Sequence, residues 1–123
     1  MSLPESGGTL VLLHNPRCSK SRQTKSLLEE RGVAFEERLY LEDPLSRAEL
    51  DELGKRLGRP AREWTRTKES AFGEAGLDGG SDETAVLDAM TQHPILMERP
   101  ILVRHDRAIV GRPPEDVLAL LDS

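Results

Sequence analysis

The 123-residue chain has a single cysteine, Cys18. An internal disulfide is therefore excluded, and any redox cycle through that thiol must borrow its second sulfur from another molecule. Long apolar runs are missing as well. None approaches the roughly 18 residues a membrane-spanning helix needs, so no membrane association is expected. The opening residues, MSLPESGG, lack the basic and apolar regions of a secretory signal peptide, and a cytoplasmic location is the expectation. Positive charge is in deficit: 17 Lys and Arg stand against 22 Asp and Glu, a formal net charge of −5. A surface that tracks nucleic-acid phosphates is normally net basic, so nucleic acid is not an expected partner. No internal repeat, low-complexity tract or linker divides the chain. Its length suits one domain that buries roughly two thirds of the surface of the unfolded chain. Residues 1 to 8 read as a disordered tail and residues 9 to 123 as the domain. With no large exposed apolar patch in the pattern, a monomer is expected.

What is present reads as alternating strands and helices. TLVLLHN, residues 9 to 15, is a short continuous apolar run ending at Pro16, as in a central strand buried on both faces. SKSRQTKSLLEERG follows with good helix formers, Arg31 near its end and Gly32 where a C-cap belongs, although its apolar face is only Leu27 and Leu28. Residues 34 to 41, AFEERLYL, suit a second strand. In PLSRAELDELGKRLG, Ser46 and Glu49 form a capping box and Leu45 and Leu50 a hydrophobic staple; Gly58 ends that helix. Pro60 opens a short helix through Trp64, and residues 73 to 81 form a glycine-rich loop. Ser81 or Asp82 caps a helix running to about His93, with Ala85, Val86, Ala89 and Met90 inward. PILVR and AIVG, joined by a short turn, predict a hairpin, and Pro113 and Pro114 open a last helix. The order β-α-β, a helical insertion at about 45 to 93, then β-β-α is compatible with an α/β, thioredoxin-like fold built on a mixed central sheet.

Cys18 lies in HNPRCSKSR, residues 14 to 22, where the first strand gives way to the first helix. A helix N-terminus carries unpaired N–H groups and a partial positive charge, which favour thiolate over thiol. Such surroundings lower a cysteine pKa from about 8.5 to roughly 3.5 to 7.5, and His14, Lys20 and Arg22 are placed to add to the effect. The same field attracts an anionic substrate. Further cations stand at element boundaries: Arg66 in WTRTK, Arg99 in ERPIL and Arg112 in GRPPE. The planar guanidinium suits bidentate contact with a tetrahedral oxyanion. Taken singly, arginines are most often surface ion-pair partners and a lone cysteine is most often a small buried apolar residue. The polar company of Cys18 favours a reactive thiol, and spacing alone does not decide the arginines.

Four ordered motifs, HNPRCSKSR, LYLEDPLSRAEL, QHPILMERPI and GRPPEDVL, resemble the arsenate reductase family that works with glutathione and glutaredoxin. Within it the chain is similar to the subgroup with C-S-K-S-R, which has Lys20 where the better-known C-G-T-S-R has threonine. The resemblance spans roughly residues 9 to 121. It implies a thioredoxin-like fold and an oxidoreductase in which Cys18 attacks arsenate, glutathione as co-substrate displaces the adduct, and glutaredoxin reduces the mixed disulfide and releases arsenite. No bound cofactor or metal is implied. Carried over by position, Cys18 is the nucleophile, His14 tunes it, Arg66, Arg99 and Arg112 surround the oxyanion, and Ser21 is placed to donate its hydroxyl to the thiolate. The resemblance also implies a cis bond between Arg99 and Pro100. The alternatives are a thiol oxidoreductase acting on glutathione mixed disulfides or another oxyanion, and a non-catalytic binding module of the same fold.

Overall fold

Strand β1, Val11–Leu13, is buried along its whole length because it has a neighbour on each edge and a cover on each face. The computed structural model describes residues 3 to 5 and 9 to 121. Strand β2, Glu36–Arg38, pairs parallel to β1, while β3, Ile101–Val103, pairs antiparallel on its other side and β4, Ala108–Val110, continues the sheet from β3. The order β2-β1-β3-β4 makes the sheet mixed, and the fold is thioredoxin-like.

Alternation along the strands feeds two cores. Val11, Leu13, Ile101 and Val103 pack with Trp64 and the inserted helices on one face. Leu12 and Leu102 pack with Leu28, Val117 and Leu120 on the other. Helix α1, Ser19–Glu30, lies on that second face. Its thin apolar stripe suffices because two of its three buried side chains, Ser21 and Thr24, are hydroxyls that find hydrogen-bond partners. Helix α2, Arg47–Leu57, starts with the expected capping box. Gly32 and Gly58 follow α1 and α2 at φ 67° and 68°, the left-handed turn glycine adopts without a Cβ clash.

The insertion also holds a 3₁₀ turn at Ala61–Trp64, helix α3, Ser70–Glu74, and helix α4, Glu83–Gln92, capped by Asp82. α3 lies where no helix was expected; it is only five residues long, and neighbouring glycines mask it. In α4 the buried residues are Val86, Leu87 and Met90, whereas Ala85 is exposed, so the helix is rotated from its expected phase and the larger Leu87 takes the inward position. The final helical segment begins as a 3₁₀ turn, Pro114–Val117, before α5, Leu118–Leu121. The loose tail expected over residues 1 to 8 does not describe residues 3 to 5: Leu3 is 6% exposed in the first core, and Arg56 Nη1 donates to Pro4 O at 2.7 Å. Residues 1, 2 and 6 to 8 lie outside the described residues. Among the described residues no helix is long and apolar enough to cross a membrane.

Candidate active site

The loop leaving β1 turns sharply to place Cys18 as the N-cap of α1. Asn15 makes the turn: its carbonyl accepts from Cys18 N at 3.0 Å and its side-chain Oδ1 from Arg17 N at 3.0 Å. The Asn-Pro pair was the available signal for such a turn. Arg22 closes it from the helix side, donating from Nη1 to Pro16 O at 2.8 Å. Arg22 thus holds the loop rather than reaching the sulfur, contrary to its expected contribution.

Burial pushes the Cys18 thiol up, but the backbone N–H groups of Ser21 and Lys20 and the guanidinium of Arg99 oppose it, and the pKa is lowered overall. What Lys20 offers is therefore its N–H; its side chain is exposed. Arg112 donates from Nη2 toward Cys18 Sγ at 3.8 Å and is itself oriented by a 2.9 Å bond from its Nε to Arg99 O. The carboxylate of Glu98 lies 3.5 Å from the same Nε. Two of the three expected arginines thus meet at the sulfur. Arg66 stands farther back, its Nε 3.5 Å from Glu69, where antiparallel bonds from Arg66 N to Leu96 O and from Glu98 N to Trp64 O tie its segment to the one carrying Arg99. The Arg99–Pro100 bond is cis, and so is Arg112–Pro113, for which no expectation was made.

The Ser21 hydroxyl meets partners other than the expected sulfur. Ser21 Oγ accepts from Asn15 N at 3.0 Å and lies 2.6 Å from His14 Nδ1. His14 is 3% exposed, and burial lowers its pKa; Glu37, 3.7 Å from Nε2, works the other way, and Lys25 and Arg22 add to the lowering. The Ser21 hydroxyl is thus engaged with His14 Nδ1 and Asn15 N, and Ser21 serves the sulfur through its backbone N–H. His14 therefore reaches Cys18 through Ser21, and its burial disfavours the charged form. Glu37 and Tyr40 complete the surroundings. Neither is prominent in the sequence, because only the β1–β2 register brings them beside the loop. Among the described residues no group of three or more His, Cys, Asp and Glu could hold a metal ion.

A thiol of lowered pKa at a helix start, with two guanidinium groups from elsewhere in the chain against it, is an arrangement that can hold an oxyanion. The ArsC family profile matches residues 13 to 120. The chain belongs to the ArsC family. An arsenate reductase of Neisseria meningitidis serogroup A (strain DSM 15465 / Z2491) is 46% identical over 114 residues, 91% of this chain and 97% of that protein. The uncharacterized protein YfgD of Escherichia coli (strain K12) is 50% identical over 112 residues, 89% and 94% of the two chains. The structure of an arsenate reductase from Vibrio cholerae superposes with a TM-score of 0.86 at 43% identity, covering 93% of this chain and 98% of that one.

Proposed function

We propose that this ArsC-family chain reduces arsenate to arsenite, with Cys18 as its nucleophile and glutathione and glutaredoxin as the source of electrons. The observation that carries the reading is the convergence of Arg99 and Arg112 on Cys18 at the start of α1. In the first step the Cys18 thiolate attacks arsenic, a sulfur–arsenic bond forms, and one arsenate oxygen leaves as water after taking up protons. Arg99, Arg112 and the N–H groups of the first turn offset the charge on the remaining oxygens. Arsenic(V) then needs two electrons to become arsenic(III). With a single cysteine the chain supplies one thiol, so the second comes from glutathione; the net exchange converts arsenate and two thiols into arsenite, a disulfide and water. Glutaredoxin takes the mixed disulfide and frees Cys18. Disulfide exchange by itself needs no tetrahedral-anion clamp, so the arginines favour arsenate reduction over a general thiol oxidoreductase. The test is arsenite release by purified protein with arsenate, glutathione and glutaredoxin, run beside Cys18→Ser. Release that needs Cys18 supports the reading. Glutathione mixed-disulfide reduction without arsenite release would replace it.

A further inference from the structure

Tyr40 is 0% exposed, and its hydroxyl finds no acceptor for its hydrogen, while the Arg99 guanidinium lies against it. Buried tyrosine hydroxyls ordinarily find a partner, because an unpaired polar group inside a protein is costly. The place of this one explains it. β1 pairs Leu13 with Arg38 in parallel and with Ile101 antiparallel. Just beyond these pairs the chain brings Tyr40 near Arg99, Arg66 and Cys18. Arg99 Nε and Nη1 and Arg66 Nε are likewise buried without hydrogen-bond partners. Four of the five such side-chain atoms among the described residues therefore belong to Tyr40, Arg99 and Arg66. All of them can donate; Arg66 Nε has the Glu69 carboxylate 3.5 Å away, so it is the Tyr40 and Arg99 donors that an anion would complete.

We infer that Tyr40 is a further residue of the anion site: its hydroxyl hydrogen is kept unpaired so that it is donated, together with Arg99, to a tetrahedral oxyanion seated against Cys18. The inference rests on the oxyanion reading above and extends it to a neutral, buried donor beside Arg99. Burial pushes the Tyr40 phenol up to about 12, with the charge of Arg99 working against the rise, so the group keeps its proton at neutral pH and remains a donor.

Tyr40→Phe conserves shape and removes only the hydroxyl. Losing one hydrogen bond to a charged ligand should weaken arsenate binding about ten-fold, read by calorimetry. The thermal midpoint should stay level or rise, since an unsatisfied buried group has gone. Equal arsenate affinity in the two proteins would overturn the inference and leave the arsenate reading standing. A wild type that binds no arsenate would overturn both. Tyr40 is the only tyrosine in the chain, so the wild-type protein gives a second measurement that does not depend on the variant folding. The single labelled Tyr Cζ resonance should shift on adding arsenate, and an unmoved resonance at saturation would overturn the inference.

Discussion

Helices α1 and α2 begin under the same physical problem, four unpaired N–H groups and the positive end of the dipole, and answer it in opposite ways. At α2, Ser46 Oγ accepts from Glu49 N at 3.1 Å and Glu49 Oε1 accepts from Ser46 N at 3.0 Å. The same carboxylate then receives both terminal nitrogens of the buried Arg38, at 2.6 and 3.0 Å, while Arg38 also donates to the carbonyls of Asp43 and Pro44. At α1, Cys18 gives no side-chain cap and the first turn contains no acidic residue. The second start is closed upon itself for stability. The first leaves its donors for a sulfur and for whatever anion meets it.

The sharpest break in this comparison is Cys18→Ser. Arsenite formation should fall below detection, while serine, a favoured N-cap residue, keeps the start of α1 folded. Activity per folded molecule and thermal midpoint together check it: a midpoint lost along with activity would make Cys18 structural. The mirror-image change is Glu49→Gln, which retains the cap acceptor but strips the charge from a partner of buried Arg38. Stability should drop by about 3 kcal/mol, at the low end for a broken buried pair, because Asp43 Oδ2 remains 3.3 Å from Arg38 Nε. Urea denaturation measures that loss, and the turnover of the folded fraction should not change.

Arg99→Lys and Arg112→Lys sharpen the α1 side by retaining charge and losing the planar fork. Each should cost about 1.5 to 3 kcal/mol in kcat/KM for arsenate, roughly ten- to a hundred-fold, with circular dichroism unchanged. Arg66→Lys should cost less, since Arg66 is paired with Glu69 and is not among the groups that act on the Cys18 thiol. Wild-type kinetics in both Arg99→Lys and Arg112→Lys would reduce α1 to an ordinary helix start. Smaller again is Ser46→Ala, expected to lower stability by about 1 kcal/mol through loss of the cap, with activity intact.

The two helix starts also differ in how far they could be read from residues alone. The α2 start is local: Ser46, Glu49, Leu45 and Leu50 lie within six positions, and the spacing dictates the contacts. Its Arg38 anchor was not legible, because it arrives from the neighbouring strand. The α1 start was legible in its cysteine and in Arg99 and Arg112, which meet it, since charge and chemistry mark those residue types wherever they stand. It was not legible in the roles of His14, Ser21 and Arg22, which depend on which polar atom each side chain meets in the folded loop. Tyr40 was hidden altogether; in sequence it is one aromatic residue at the end of a strand pattern, and its importance comes from the β1 register.

The smallest effect is the pH dependence of stability, and it separates the two starts by sign and window. Cys18 and Glu49 are both acids with pKa values lowered by folding, Glu49 despite burial and through Arg38 and the Ser46 N–H. A depressed acid contributes stability that is fully present above its unfolded pKa and is lost as pH falls through the folded one. For Glu49 the unfolded value is about 4.3, so its contribution is complete at neutral pH and disappears only in acid. For Cys18 the unfolded value is about 8.5, so its contribution is still growing as pH rises from neutral toward 9. Thermal midpoints of wild type, Cys18→Ser and Glu49→Gln measured from pH 3 to 9 test both. The gap between wild type and Glu49→Gln should be flat above about pH 5 and shrink below it. Wild type should gain on Cys18→Ser between pH 7 and 9, and a gap moving the other way would mean that the cations at α1 do not favour the thiolate.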